Sequence, residues 1–322
     1  MRKAFITGAS GFIGSALVRR LLYMGVEVRA ACRTPSKGAK LADLGAEVVA
    51  GDVLDGESLS LHMRGCDVVF HLAAVMGNSI ESYTTNVGGT VNVVRAAETA
   101  GVERLIHVSS VAVYGFDADG DITEATPHAP SPNDHYMTSK SAGESIMWTY
   151  TRQIGLPAVS IRPAFVYGPG SFTWSLMLYR AAQRRFPFVD GGNGHAHPIF
   201  VDDVVDLMVT TATHPAAPGN AFHAAPDPAT TWREFASYYM RMADHRAAFT
   251  VPVKLVEPLG DLLLRATNAI DRPFDLNGAL RFIGHHGTYK MTRARELLDW
   301  TPHIGLEQGM TLTEPWLRNK AG

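Results

Sequence analysis

Short apolar runs alternate with stretches of helical spacing through the first half of the chain. "KAFIT" (3–7), "EVRAAC" (27–32), "AEVVAG" (46–51), "DVVFHLA" (67–73), "RLIHVSS" (104–110) and "AVSIRP" (158–163) read as strands buried on both faces. Between them "GSALVRRLLYMG", "ESLSLHMRG", "TTNVGGTVNVVRAAETAG" and "SKSAGESIMWTYTRQIG" place apolar residues three and four apart, as helices do. Gly25, Gly101 and Gly155 stand where three of those helices would end, in the place of left-handed caps. Strand and helix alternating this often predict an α/β fold, a doubly wound parallel sheet with helices on both faces.

After residue 170 the rhythm breaks. Pro and Gly cluster at 186–198 and 214–228, with helical stretches near 172–185, 202–213 and 231–244 and an amphipathic helix in the tail. This half reads as a smaller, irregular lobe.

Composition narrows the class without naming a chemistry. A chain of 322 residues with 46% hydrophobic and 19% charged content buries a sizeable core. Lys+Arg 29 against Asp+Glu 31 leaves net −2 and no basic block, so nothing points to nucleic acid. Two cysteines, Cys32 and Cys66, cannot build a disulfide framework, which suits a reducing cytoplasm. The apolar start "MRKAFITGASGFIG" is broken by glycines too early for a secretory signal, and no stretch is apolar enough to span a membrane. The expectation is a soluble cytoplasmic protein.

"ITGASGFIG" (6–14) follows a predicted strand and opens a predicted helix, the setting in which glycine spacing acquires meaning. Gly8 would permit the tight turn, Gly11 would let a pyrophosphate approach bare backbone, and Gly14 would let helix and strand pack closely. Free N–H groups near Phe12 and Ile13 would face the phosphates. The spacing, G-x-x-G-x-x-G, also fits a helix-start turn with no ligand. Past the second strand stands "ACRTPSK", with Arg33 and Lys37 where an acidic residue would mark NAD. A guanidinium suits a 2′-phosphate, so the expected cofactor is NADP(H), with NAD(H) possible. Asp52 would bond the adenine amine beside Val53, or cap a helix over 54–62.

"HYMTSK" (135–140) sets Tyr136 and Lys140 four apart on one helical face. A phenol titrates near pH 10, and a neighbouring ammonium, helped by a cationic nicotinamide, would favour the phenolate and make proton exchange with an alcohol feasible. Ser109 and Ser110 close a predicted central strand at its carboxyl end, where ligands sit in such sheets. Ser110 could polarise a carbonyl.

With these motifs in hand, the chain resembles the extended short-chain dehydrogenase/reductases, the NAD-dependent epimerase/dehydratase group with its Rossmann-like sheet. The resemblance rests on "TGASGFIG" (7–14), "GDVLD" (51–55), "HLAA" (71–74), "NVGGTVNVVRAA" (86–97), "SSVAVYG" (109–115), "YMTSK" (136–140), "RPAFVYGPG" (162–170) and "FVDDVVDLM" (200–208). It implies a catalytic triad of Ser110, Tyr136 and Lys140, with Lys140 also holding the nicotinamide ribose. It further implies Ala73 and Ala74 along the cofactor path, Asn86 near it, Pro163 and Ala164 beside the nicotinamide, and a homodimer. The expected division is a dinucleotide-binding domain over 1–170 and a substrate lobe over 171–322, partly interleaved with the first.

Departures from the group bear on substrate. Members acting on nucleotide-sugars commonly have Asn where this chain has Phe165, and Arg before "FVDD", where this chain has Ala196 between His195 and His197. Val111 and Ala112 follow Ser110, so the acid and base of a dehydratase are missing. The tail resembles the hydroxysteroid-dehydrogenase-like and dihydroflavonol-reductase-like branches. Phe165, Phe172, Trp174 and Met177 would suit an apolar ketone if they line the pocket. His195 and His197 lack a third ligand at metal spacing and read as loop histidines. The leading expectation is an NADP(H)-dependent oxidoreductase acting on a small molecule, interconverting a carbonyl and a secondary alcohol. A nucleotide-sugar 4-epimerase with tightly held NAD is the alternative, and a non-catalytic NADP(H) sensor a third.

Overall fold

The computed structural model describes residues 1–77, 79–184, 188–244, 249–258 and 276–321. Seven strands form one parallel sheet: β1 (Lys3–Thr7), β2 (Glu27–Cys32), β3 (Glu47–Ala50), β4 (Val68–His71), β5 (Arg104–Val108), β6 (Ala158–Pro163) and β7 (Ala221–Ala224). Their spatial order is β7-β6-β5-β4-β1-β2-β3, all parallel. The order reverses between β1 and β4, and such a switch point opens a crevice at the carboxyl ends of the strands.

Alternation along each strand feeds two cores, one per face. Phe5, Val69, Leu105 and Ala158 pack with Leu59, Val93, Ala97 and Met147. These come from helices α1 (Gly56–Met63), α2 (Gly89–Ala100) and α3 (His135–Ile154). Ala4, Ile6, Val68, Ile106 and Ile161 face the other way, onto Leu17, Val204 and Leu207. The continuous apolar runs of the sequence are thereby explained, since neither sheet face meets water.

Gly101 and Gly155 are left-handed caps, at φ 67° and 70°, and Gly25 also has positive φ. One cap differs from expectation. The helix expected over 54–62 begins at Gly56, and Asp55 caps it by accepting from the Ser58 N–H at 3.1 Å. Asp52 instead accepts from the Leu54 N–H at 2.9 Å, tightening the turn before the helix.

Beyond residue 170, the expected 172–185 helix is a wide turn over Phe172–Met177 followed by a helix at Leu178–Gln183. Residue 185, and residues 186–187 of the Pro/Gly cluster, lie outside the described residues. Helices at Val201–Thr213 and Trp232–Met242 match the other two stretches. Pro198–Phe200 pairs with Phe165–Tyr167, and Gly287–Tyr289 with Gly120–Ile122. Through these pairs and β7, the later half of the chain is stitched onto the earlier half. A helix at Leu276–Gly284 is thereby brought over the carboxyl end of the sheet, where it borders the second cavity described below.

Candidate active site

The turn after β1 is built for close approach. Gly8 has φ +70°, and a Cβ there would lie 2.7 Å from the Ala73 nitrogen. A Cβ on Gly14 would lie 2.2 Å from the Gly8 oxygen. The helix at Phe12–Tyr23 starts from Gly11 with no side-chain cap and no acidic residue in its first turn. Its leading N–H groups are therefore available to an anion. A cavity of about 390 Å³ and another of about 490 Å³ meet at this end of the sheet. The larger is lined by Gly8, Gly11, Phe12, Ile13, Gly14 and Ala74, then Ser109, Ser110, Tyr136, Lys140, Pro163 and Ala164. An uncapped helix start with bare glycine backbone at one end and reactive side chains at the other fits a dinucleotide.

Six other residues expected near the cofactor do not border this groove. Arg33 and Lys37 are exposed just beyond β2. Val53 is buried, packed where a Cβ on Gly89 would touch it. Asp52 is held in its turn, and the Ala73 N–H donates to Thr7 Oγ1 at 3.2 Å. The Asn86 carboxamide accepts from the Val75 N–H at 2.8 Å and donates to the Val75 carbonyl and to Ser139 Oγ. It fixes the loop after β4 against helix α3.

Asp134 caps α3 by accepting from the Met137 N–H at 2.9 Å, which sets Tyr136 and Lys140 in the first two turns. Ser110 accepts from the Ala112 N–H at 3.1 Å, so its hydroxyl is oriented at the mouth of β5. Burial pushes the Tyr136 phenol above its ordinary range, opposed by a hydrogen bond with Ser110 and reinforced by Asp134. The sequence suggests a phenol lowered by lysine together with a cationic nicotinamide. In the protein alone the Lys140 ammonium instead donates to the Val108 carbonyl at 2.6 Å, and desolvation dominates at Tyr136. Burial also pushes Lys140 down to about 8, opposed by Glu144.

The smaller cavity shares Met76, Ser110, Tyr136, Ala164 and Trp174 with the groove and continues between Phe116, Phe165 and Phe282. Phe165 stacks on Trp174 at 4.6 Å and 23°, and on Trp232 at 5.4 Å and 25°. Phe282 meets Phe165 at 5.1 Å and Phe116 at 4.7 Å. The expected aromatic lining is corrected at two positions. Phe172, 59% exposed, borders the nucleotide groove, and Met177, 51% exposed, borders neither cavity. The wide turn over Phe172–Met177 rotates both away from the pocket. Phe116 and Phe282 were not foreseen. His197 is fully buried against Tyr289 at 4.6 Å, and His195 Nδ1 lies 3.2 Å from the Gly287 carbonyl. Among the described residues no three His, Cys, Asp or Glu side chains are placed to hold a metal, and no helix is long and apolar enough to cross a membrane.

The chain is 29% identical over 96% of its length to a 4-hydroxy-2-methyl-3-oxo-4-farnesyl-3,4-dihydroquinoline-1-oxide ketoreductase of Stigmatella aurantiaca, covering 94% of that relative. It is 31% identical to a UDP-glucose 4-epimerase of Mycolicibacterium smegmatis, with 99% of both chains covered. In fold it resembles the UDP-glucose 4-epimerase of Thermotoga maritima, with TM-score 0.79 and 20% identity over 99% of this chain and 100% of that one. Residues 4–225 match the model of the NAD dependent epimerase/dehydratase family. The chain belongs to that family, an enzyme family of reductases, dehydrogenases, epimerases and dehydratases.

Proposed function

We propose that this enzyme interconverts an apolar ketone and its secondary alcohol, using NADP(H) in preference to NAD(H). The observation that carries the reading is the meeting of the two cavities. Ser110 and Tyr136 line both, so one hydroxyl pair faces the cofactor groove and an aromatic-walled pocket together. Hydride chemistry is what a nicotinamide supplies when bound there. The chain's own residues do the rest. Ser110 donates to the substrate oxygen and polarises it, Tyr136 exchanges the proton at that oxygen, and the Lys140 ammonium stabilises the phenolate. Phe116, Phe165, Trp174 and Phe282 favour an apolar body, while Asp117, Ser131, Asn133, Asp134 and Arg281 also line the pocket.

Relatives support the substrate class: alongside the ketoreductase, a 2-alkyl-3-oxoalkanoate reductase of Shewanella oneidensis is 26% identical over 95% of this chain. Arg33 and Lys37, exposed beyond β2, support the NADP(H) preference. Tyr136→Phe should abolish turnover of an apolar ketone with NADPH while leaving cofactor affinity unchanged, and undiminished turnover would remove the mechanism. The likeness to the Mycolicibacterium epimerase favours a second reading, a nucleotide-sugar 4-epimerase. UDP-glucose converted without any net change in cofactor absorbance would establish it over the first.

A further inference from the structure

Lys140 shares its buried position with a second charged side chain on the same helix. Glu144, one turn on, is 0% exposed, and its carboxylate accepts from Arg162 Nη2 at 2.6 Å and Nε at 3.1 Å. Trp148 Nε1 donates to the same carboxylate at 3.2 Å, and His128 Nε2 stands 4.0 Å from its other oxygen. Arg162 lies on β6 directly before Pro163 of the groove, is 5% exposed, and also donates to the Tyr114 hydroxyl and the Glu124 carbonyl. On the sheet side Lys140 faces His71 and His107, both buried and kept neutral by that burial. The counter-charge acting on the ammonium is therefore Glu144, and Arg162 holds the same carboxylate.

Stability alone does not account for such a pair. Desolvating two ions often costs as much as their attraction returns, and an apolar pair of equal volume holds a fold as well. The placement has a different consequence: the carboxylate held by the guanidinium lies on the same helix as the lysine at the reacting centre, one turn away.

We propose that the Glu144–Arg162 pair tunes the reaction through Lys140. Glu144 keeps the ammonium charged inside the core, and Arg162 limits how much of that negative charge Lys140 feels. Neither side chain borders the groove or the pocket, so both are positioning residues. The proposal rests on the reading of Tyr136 and Lys140 as the proton-handling pair.

The test follows the Lys140 side chain by carbon NMR in the full chain labelled at lysine Cε, with the resonance assigned by Lys140→Met. Glu144→Gln removes an anion and should move the Lys140 midpoint down by about one pH unit or more. Arg162→Met removes a cation and should move it up, and the double variant should return it close to the parent value. Shifts of one sign or none overturn the proposal. The single variants leave a buried charge unpaired and risk failing to fold. His128→Arg covers that case, because it adds a cation beside the same carboxylate at a part-exposed site. It should lower the midpoint by a few tenths of a unit, and an unmoved midpoint is likewise decisive against the idea. The titration needs no turnover, so its failure is distinct from that of the catalytic reading, which the Tyr136→Phe assay decides.

Discussion

Trp174 lies flat against Phe165, ring centroids 4.6 Å apart and planes 23° from parallel, and the pair forms the wall between the nucleotide groove and the aromatic pocket. Phe165 stands where nucleotide-sugar enzymes of the group commonly carry Asn. Here its ring is stacked on two indoles and offers no hydrogen bond to a diphosphate.

Phe282 closes the same wall from the Leu276–Gly284 helix, meeting Phe165 at 5.1 Å and Trp174 at 5.8 Å, and it borders the pocket without bordering the groove. Truncating it removes apolar contact with substrate while sparing the cofactor. Phe282→Ala should lower kcat/KM for an apolar ketone by about tenfold, equivalent to about 1.4 kcal/mol of lost aromatic contact. The NADP(H) dissociation constant should not change. Parallel steady-state and cofactor-binding measurements check both halves, and equal loss in each would place Phe282 in the fold and not in the pocket.

Gly14 gives a sharper steric prediction. A Cβ there would sit 2.2 Å from the Gly8 carbonyl oxygen and 2.9 Å from the Ala9 Cα, both backbone, so the Phe12–Tyr23 helix must move off the turn. Gly14→Ala should cost about 1–3 kcal/mol of stability and weaken both NADP(H) and NAD(H). Gly305→Ala is the control, since a Cβ there meets nothing within 4 Å. Thermal melts with and without cofactor separate the two effects; an unchanged melt for Gly14→Ala would contradict the close approach.

Local chemistry is what the sequence carried well. The strand–glycine–helix run, the four-residue step from Tyr136 to Lys140 and the serines ending β5 each depend on neighbours within one or two elements. Their placement around one groove followed from the topology. What escaped depended on distant segments. Phe282 reaches the pocket from a helix followed by the Gly287–Tyr289 strand, which pairs back onto Gly120–Ile122, and no local spacing announces that. Phe172 and Met177 were misplaced because a 3.6-residue period does not describe the wide turn they occupy. Asp52 and Asp55 both precede the same helix, and spacing alone did not identify which carboxylate caps it.

Cofactor choice is tested at Arg33, exposed just beyond β2 and bordering neither of the two cavities. A guanidinium there would meet a 2′-phosphate and nothing on a bare ribose. Arg33→Ala should raise the NADP(H) dissociation constant by about tenfold or more, the scale of a charge-assisted hydrogen bond. NAD(H) binding should stay within a factor of two or so of the parent. Equal weakening of both would overturn the NADP(H) assignment.

Acid should unfold this protein through its buried histidines. Burial is the largest cause in each case, holding His71, His197 and His223 down to about 3. An unfolded chain titrates them near 6.5, so between that value and 3 the unfolded state binds more protons than the native state. Stability therefore falls as pH falls, beginning at the unfolded value and continuing toward the folded one. Between pH 7.5 and 5.5 these three groups alone should remove about 4 kcal/mol of unfolding free energy, at roughly 1.4 kcal/mol per histidine, and His107, also lowered by burial, adds to the loss. Glu124 and Asp203, raised by burial, act in the opposite sense. Urea unfolding at the two pH values measures the loss directly. His223 also offers a control, because its Nε2 shares a 2.7 Å hydrogen bond with the Tyr114 hydroxyl and its Nδ1 faces the Lys290 carbonyl at 2.9 Å. His223→Gln, although less stable at pH 7.5, should lose about 1.4 kcal/mol less than the parent on going to 5.5. Equal midpoints at both pH values would mean that these imidazoles are charged in the folded protein.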